Sequence, residues 1–315
     1  MSLFSVIVPS FNRVALLGAT LDSILAQRFT DFDIIVVDDG STDGTMDYLE
    51  SFRQRIKVFR QANQGPGAAR NFGARHSRGT YLAFLDSDDL WFPWTLEVYR
   101  DVIHKHTNPS FIAGKPCIFS EQHELNNIIH GPVRTEQFAD YLGSGDKWRW
   151  WGVSSFVIRR DTFIAARGFG EEWINGEDAD LALRLGVAPR FVQIMAPVTF
   201  AYRDHAVSAA KDLRRTFAGA WSNVCAERAG RYPGGVMRAR ERRRILIRHT
   251  RPVTLTCLQQ GLRREAWKLF GATFGWNASL GRVKYLAAFP LLAAISKLRA
   301  VGALNADGQV NTTLQ

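Results

Sequence analysis

Cysteine, long apolar runs and an N-terminal targeting pattern are all scarce in this chain of 315 residues. The three cysteines (Cys117, Cys225 and Cys257) are far apart and in no metal-ligand spacing, which argues against a disulfide framework and favours a reducing cytoplasm. The longest uncharged apolar run near the C-terminus covers residues 285–295 and contains Pro290, whereas a membrane-spanning helix needs about 20 residues. The first residues have no basic segment and meet Pro9 early, so we expect no signal peptide and a cytoplasmic location.

Two common nucleotide-binding motifs are also missing. No G-x-G-x-x-G follows the first predicted strand, where the sequence reads PSFNR at residues 9–13, and there is no Walker A loop. The chain therefore lacks the signatures of a Rossmann dinucleotide site and of a P-loop. A nucleotide can still bind through its base and ribose, with its phosphates held by a metal ion.

Charge is distributed unevenly along a chain that is apolar enough to fold. Apolar residues make up 46% of the sequence, which is typical of a globular protein. Residues 1–210 hold 21 Lys and Arg against 25 Asp and Glu, whereas residues 211–300 hold 19 against 4. The net charge of +10 therefore comes from the last third of the chain.

Strand-like and helix-like segments alternate from the N-terminus. Short apolar runs at residues 4–9, 33–38, 56–60 and 81–85 are separated by helical patterns, which indicates βαβ units. We therefore predict an α/β fold with a doubly wound, mainly parallel sheet flanked by helices. A further strand is predicted at residues 111–119, and residues 211–304 are predicted to be helical, with breaks near residue 233, at Pro252 and at Gly275. Ligands bind such sheets at the carboxyl ends of the strands.

An acidic cluster follows the strand at residues 81–85. Asp86 and Asp88 are two residues apart on extended backbone, so their carboxylates point the same way. Oxygen ligands this close suit Mg²⁺ or Mn²⁺ beside substrate phosphates. The alternative is a turn that caps the next helix, since Asp is favoured at turns and N-caps.

Four segments in order resemble the signatures of the family 2 glycosyltransferases. They are VIVPSFNR at residues 6–13, IIVVDDGSTD at 34–43, NQGPGAARN at 63–71 and LDSDD at 85–89. The resemblance implies a GT-A fold, a nucleotide-sugar donor, a divalent metal (Mn²⁺ or Mg²⁺) and inversion at the anomeric carbon. It continues more loosely to about residue 210.

The resemblance also implies roles for single residues. Pro9 and Phe11 match positions that line the base pocket, although Phe11 stands where the family often has Tyr. Asp39 matches a carboxylate that recognises uracil, which favours a UDP-sugar. Asp86 matches the residue that contacts the donor ribose, Arg70 the basic residue near the diphosphate, and Asp88 the metal ligand.

Acidic residues precede a helical pattern once more at residues 171–178 (EEWINGED). In the family, an Asp at this place is the general base, so Asp178 matches the base and Glu177 its neighbour. These acids can instead simply complement the helix dipole. Asp180 is the fallback base, although on a helix it turns about 200° away from Asp178. His205 stands where some relatives have an imidazole metal ligand, but it can equally be structural.

Two regions have open interpretations. Trp150 and Trp151 belong to an aromatic cluster, KWRWW at residues 147–151, that either stacks on an acceptor sugar or packs in the core. The arginine-rich segment RARERRR at residues 238–244 fits an anionic membrane surface, a nucleic-acid patch or a helix pair packed on the catalytic domain. No nucleic-acid module accompanies it, so we expect peripheral membrane contact rather than nucleic acid.

We therefore predict a metal-dependent, inverting glycosyltransferase that moves a sugar from a nucleotide-sugar to a saccharide or lipid-linked acceptor in polysaccharide or glycolipid synthesis. Residues 1–210 are the predicted catalytic domain, residues 211–304 a basic helical extension and residues 305–315 a disordered tail. The location would be cytoplasmic, at the inner face of the membrane where the extension contacts it. The alternatives are a nucleotide-sugar-binding module without turnover and a nucleic-acid-binding protein.

Overall fold

A computed structural model describes residues 2–145, 152–205 and 211–307. Its main sheet has eight strands in the order β3-β2-β1-β4-β9-β6-β10-β8. These strands are β1 (Phe4–Ser10), β2 (Phe32–Asp38), β3 (Lys57–Arg60), β4 (Tyr81–Phe84), β6 (Phe111–Ala113), β8 (Arg134–Phe138), β9 (Phe156–Arg159) and β10 (Phe191–Ala196).

The N-terminal half of this sheet is parallel and deeply buried. Strands β3, β2, β1 and β4 run in one direction, and all seven residues of β1 are buried. A strand covered by helices on both faces has an almost continuous apolar sequence, as β1 does. Helices α1 (Val14–Leu25), α2 (Thr45–Glu50) and α3 (Pro66–Arg75) connect these strands. The α/β fold predicted from the alternating pattern is confirmed, and antiparallel pairing begins only where β9 joins β4.

A second, three-stranded sheet was not predicted. It consists of β5 (Leu90–Trp91), β11 (Phe200–Arg203) and β7 (Pro116–Phe119), in the order β5-β11-β7. The single strand predicted at residues 111–119 is therefore wrong, because the chain leaves the main sheet after Ala113 and enters the second at Pro116. Gly114 makes this change possible, since a Cβ there would lie 2.2 Å from the Tyr99 hydroxyl.

Helices form the rest of the described chain. They are α4 (Thr95–Lys105), α5 (Arg160–Ala165), α6 (Glu177–Arg184), α7 (Leu213–Arg228), α8 (Ala239–Gln259), α9 (Arg263–Ser279) and α10 (Val283–Asp307). The breaks predicted at Pro252 and Gly275 are wrong, because α8 and α9 run through them. The chain turns instead at Gly261 and Gly281, whose φ angles of 78° and 67° suit glycine at a helix C-terminus. None of the described helices has the length and hydropathy needed to cross a bilayer.

The C-terminal helices pack on the main sheet. One buried cluster joins Phe84 of β4 and Leu181 of α6 to Val224, Ile245 and Leu269 of α7, α8 and α9. Arg238 makes two 2.8 Å hydrogen bonds to Asp140, and the buried side chain of Arg242 pairs with Glu227 at 2.6 Å. Part of the arginine-rich segment therefore serves internal ion pairs.

Candidate active site

The site lies where β2, β1 and β4 end side by side. Ser10 at the end of β1 is in register with Asp38 at the end of β2, and the loops that follow are tied together. The backbone N–H of Asn12 donates to Ser41 Oγ at 2.9 Å, and the side-chain oxygen Asn12 Oδ1 accepts from the Thr42 N–H at 2.8 Å. Phe11, which stands between Ser10 and Asn12 in the sequence, is 38% exposed. An aromatic face is therefore held at the rim of the parallel sheet.

Asp39 anchors the loop before α3. Its carboxylate is only 3% exposed and accepts hydrogen bonds from the N–H groups of Gln64 and Gly65, at 2.9 and 2.8 Å, and from the Gln61 amide at 2.7 Å. A carboxylate has about four acceptor positions, and these three hydrogen bonds use three of them. Ser10 Oγ nearby on β1 is buried and has no hydrogen-bond partner within the described ranges.

The acidic turn after β4 is held by Ser154. The Asp86 N–H donates to Ser154 Oγ at 3.1 Å, and the Ser154 hydroxyl donates to Asp89 Oδ2 at 2.6 Å. Removal from water raises the pKa of Asp89 well above its usual range, and the charges of Asp88 and Asp86 raise it further. Asp89 therefore stabilises the turn, while the carboxylates of Asp86 and Asp88 have other partners, Arg70 and His205.

Asp88 and His205 meet at the mouth of the site. His205 Nε2 lies 3.0 Å from Asp88 Oδ2, and Arg13 Nε lies 3.6 Å from the same oxygen. About a fifth of each of the three side chains is exposed. An imidazole nitrogen and a carboxylate oxygen side by side are a pair of donor atoms for a divalent metal ion. No group of three or more His, Cys, Asp or Glu in residues 2–145, 152–205 and 211–307 could hold a metal by itself.

Arg70 joins the acidic turn after β4 to the helix that carries the predicted base. Its side chain is 4% exposed and donates to Asp86 Oδ1 at 2.7 Å and to Glu177 Oε1 at 2.9 Å. Burial by itself would lower the pKa of Arg70, but these two carboxylates raise it above its ordinary value. The guanidinium also lies over the Phe169 ring at 5.1 Å. It stays charged between two acids that are far apart in sequence.

Asp178 lies in the first turn of α6, directly after Glu177. Gly176 precedes the helix with φ 102°, a conformation that other residues rarely adopt. The carboxylate of Asp178 accepts from the Ala179 N–H at 2.7 Å. Burial raises the pKa of Asp178 to about 7, the charge of Glu177 adds to the rise, and Arg70 opposes it. Such a carboxyl group is half-ionised near neutral pH and suits proton transfer.

Asp180 is turned away from this centre. Its carboxylate accepts from Arg184 Nε at 2.8 Å and from the Tyr232 hydroxyl at 3.0 Å. Both carboxylate oxygens of Asp180, the alternative base, are therefore engaged in hydrogen bonds within the protein. Trp150 and Trp151 lie outside the described residues.

Two side chains that support the site were not singled out from the sequence, Ser154 and Arg203. Arg203 Nε donates to the Asp88 carbonyl at 2.9 Å and its N–H donates to Asp89 Oδ1 at 3.0 Å. The sequence signal that could have found Arg203 is its two-residue spacing from His205, which places both side chains on one side of an extended backbone. Ser154 gave no signal, because nothing in its own segment indicates the acidic turn it meets.

Comparison with known proteins identifies the class of protein to which this chain belongs. The model of the family described as glycosyl transferase family 2 matches residues 5–158. An uncharacterized glycosyltransferase of Haemophilus influenzae is 30% identical over 208 residues, which cover 63% of this chain and 67% of that protein. A putative teichuronic acid biosynthesis glycosyltransferase of Bacillus subtilis, TuaG, is 35% identical over 134 residues, 41% of this chain and 53% of that one. The matched region thus spans from about half to two thirds of these relatives.

Solved structures agree on the fold. Residues 1–349 of TarS from S. aureus, in complex with UDP, align with a TM-score of 0.66 at 21% identity, covering 99% of this chain and 93% of that one. The mannosyltransferase PcManGT from Pyrobaculum calidifontis, in complex with GDP-Man and Mn²⁺, aligns at 0.53 and 19% identity, covering 94% and 87%. The protein is a glycosyltransferase with a GT-A-type fold. It belongs to glycosyltransferase family 2, as the four sequence signatures predicted.

Proposed function

We propose that this glycosyltransferase moves a sugar from UDP to an acceptor hydroxyl, with inversion at the anomeric carbon and with a divalent metal. The observation that carries the proposal is the Arg70 bridge, because Arg70 bonds both to Asp86, a proposed donor contact, and to Glu177, the neighbour of the proposed base Asp178. Residues 1–210 would form the catalytic part and residues 211–304 the helical extension.

The donor would lie across the ends of β1, β2 and β4. Phe11 would stack on the base beside Pro9, Asp39 would use its remaining acceptor position for a uracil N–H, and Asp86 would contact the ribose. Arg70, whose Nε lacks a partner among the described residues, would face the diphosphate. A buried guanidinium held between two acids keeps its charge and needs no reorganisation as the leaving group becomes more negative.

Asp88 and His205 are the residues that would hold the metal. Their facing oxygen and nitrogen atoms fit a two-residue donor set, which leaves the remaining positions to phosphate oxygens and water. When bound, Mn²⁺ or Mg²⁺ would supply charge stabilisation for the departing diphosphate. Arg203 would keep Asp88 in place through its carbonyl oxygen.

Asp178 would be the general base. The acceptor oxygen forms a bond to the anomeric carbon as its proton passes to the Asp178 carboxylate, and the bond from that carbon to the UDP oxygen breaks. UDP leaves with the bonding electron pair, so a direct displacement inverts the configuration. The charge of Glu177, which pairs with Arg70, would help to keep the Asp178 pKa high enough for efficient proton removal.

The acceptor would be a saccharide or lipid-linked saccharide, in line with the teichuronic acid relative and with the partial exposure of Asp178. A nucleotide-sugar-binding module without turnover is the alternative. The raised pKa and partial exposure of Asp178 favour turnover, because a binding module has no use for a carboxyl group that titrates near neutral pH.

Membrane contact would fall on helices α9 and α10 rather than on the arginine-rich start of α8. No Asp or Glu occurs between Glu265 and Asp307. Both helices carry exposed basic residues in this stretch, Lys268 and Lys284. They also carry exposed apolar side chains, among them Trp267, Phe274, Val283, Leu291 and Ile295. Apolar and basic side chains without acids match an anionic lipid surface. A second copy with the same positive charge would be repelled.

Replacing Leu291 by glutamate is expected to weaken binding to vesicles of phosphatidylcholine and phosphatidylglycerol about 10-fold or more. An exposed leucine that enters a bilayer contributes roughly 1.5–3 kcal/mol, and the new charge adds repulsion. Co-sedimentation measures the effect. The control is Ile164→Glu, because Ile164 is 61% exposed in α5 and Leu291 is 66% exposed in α10. Equal binding of both variants, or a dimer that only Leu291→Glu disrupts, would refute the lipid contact.

Addition of UDP with Mn²⁺ is expected to raise the melting temperature on the order of 5 °C at a hundredfold excess over Kd, because a ligand that binds only the folded protein stabilises it. The measurement is a thermal-shift panel of nucleoside diphosphates with and without Mn²⁺. The shift should be larger for UDP than for GDP or ADP, and larger with Mn²⁺ than without it. No shift with any nucleotide would remove the basis of the proposal.

A further inference from the structure

Helix α7 approaches the loop before the catalytic helix so closely that only glycine fits. A Cβ added to Gly219, in the middle of α7, would lie 1.6 Å from the carbonyl oxygen of Asn175 and 2.8 Å from its carbonyl carbon. Both neighbours are backbone atoms, which cannot rotate away as a side chain can. We infer that α7 is a brace that positions the catalytic base, with Gly219 as the contact that sets its distance.

Several hydrogen bonds hold the same loop to α7. Asn175 donates its N–H to the Arg215 carbonyl at 3.3 Å and its side-chain amide to Thr216 Oγ1 at 3.0 Å. Arg215 also lies over the Trp173 ring at 5.0 Å. The N-terminus of α7 is itself fixed, because the Asp212 carboxylate accepts from the N–H groups of Arg214 and Arg215. The loop thus follows α7 rather than moving independently.

The residue that Gly219 contacts, Asn175, lies only three positions before the proposed base Asp178 in the sequence. Asn175 is followed by Gly176, whose carbonyl accepts from the Asn223 amide of α7 at 3.4 Å, and then by Glu177 and Asp178 in the first turn of α6. A shift of Asn175 therefore moves the start of α6. The Glu177 bond to Arg70 and the place of Asp178 beside it depend on that start.

A second connection fixes how α6 is rotated. Tyr232, after α7, donates its hydroxyl proton to Asp180 Oδ1, and the hydroxyl oxygen lies 3.3 Å from Asn223 Oδ1. A cavity of about 230 Å³ lies among α6, α7 and the loop, lined in part by Glu171, Asn223 and Tyr232. Because there is open space here, close packing alone does not hold α6. Asn223 and Tyr232 supply specific contacts instead.

The inference rests on the proposed function, since it names what places Asp178. The test is Gly219→Ala, with Gly271→Ala as the matched control. Both glycines lie inside long helices, but a Cβ at Gly271 meets nothing within 4 Å. Alanine is the better helix former, so the control is expected to keep full activity and to melt no lower than wild type. The readouts are kcat and KM for the UDP-sugar, and the UDP shift with Mn²⁺.

Gly219→Ala is expected to lower kcat at least 10-fold while the UDP-induced shift and the donor KM stay within about twofold of wild type. A merely structural role would lower the melting temperature and donor binding together. Tyr232→Phe removes only one hydroxyl group and is expected to lower kcat severalfold with the same split, which keeps the test valid if Gly219→Ala does not fold. Full kcat in both variants would disprove the role of α7 in positioning Asp178. An Asp178→Asn enzyme that stays active would instead disprove the role of Asp178 as the general base.

Discussion

Replacing Asp178 by asparagine is expected to lower kcat by about 10²–10⁴-fold, the range in which general bases contribute, while UDP binding with Mn²⁺ is unchanged. Asparagine keeps the size and the polarity of the side chain but cannot take the acceptor proton. Initial rates of UDP release, measured with an identified acceptor, give kcat. Full transfer by this variant would disprove the role of Asp178.

The control for this variant is Asp161→Asn. Asp161 lies in the first turn of a short helix, α5, as Asp178 does in α6, but it is exposed and pairs with Arg159. If an acid at a helix N-terminus mattered only through the helix dipole, both variants would lose stability alike and neither would lose turnover. We expect Asp161→Asn to retain wild-type kcat.

The pH dependence follows from the same group. The base must be ionised, and the pKa of Asp178 is raised to about 7 by burial and by the neighbouring charge of Glu177. Because kcat/KM reports the free enzyme, it should be constant at alkaline pH and fall tenfold per unit below about pH 7. The residual rate of Asp178→Asn should lack this acid limb.

Asp88→Ala is expected to abolish the part of the UDP-induced thermal shift that depends on Mn²⁺ and to reduce transfer to background. Asp88 and His205 are the two side chains proposed to hold the metal, and one imidazole by itself is a weak site for Mn²⁺. Titration of Mn²⁺ at fixed UDP, followed by thermal shift, measures the loss. His205→Ala should weaken the metal response in the same direction.

The matched control here is Asp101→Ala, which removes an exposed carboxylate on α4 that pairs with the adjacent Arg100. It should leave both the shift and the rate unchanged. Retention of the full metal-dependent shift by Asp88→Ala would mean that the metal is held elsewhere. A UDP shift that is independent of Mn²⁺ in the wild-type protein would exclude metal-assisted donor binding altogether.

The sequence predicted the parallel half of the sheet and the polar groups at its edge, because these depend on local patterns. The apolar runs of β1, β2 and β4 end in Ser10, Asp38 and Asp86, and parallel pairing alone brings those ends together. His205 Nε2 lies 3.0 Å from Asp88 Oδ2, and the role of this pair as metal ligands stays a prediction.

Features that depend on distant packing were not predictable. Gly219 looks like a poor choice inside a helix until Asn175 is seen against it, and no local pattern reports that contact. Pro252 was expected to end α8, but tertiary packing of Leu246 and Leu258 on either side carries the helix through it. Phe111 to Phe119 read as one apolar strand because periodicity does not show that the chain changes sheets at Gly114.

The buried cluster that joins the sheet to α7, α8 and α9 has a consequence for how the protein unfolds. Leu181 of the catalytic helix and Val224 of α7 lie in one core, and the Arg242–Glu227 pair lies between helices of the extension. Exposing either partner of that pair alone would leave a charge without its counterion in an apolar setting. Because the main sheet and helices α7–α9 share this core, we expect them to unfold together in one transition with a single free energy of unfolding.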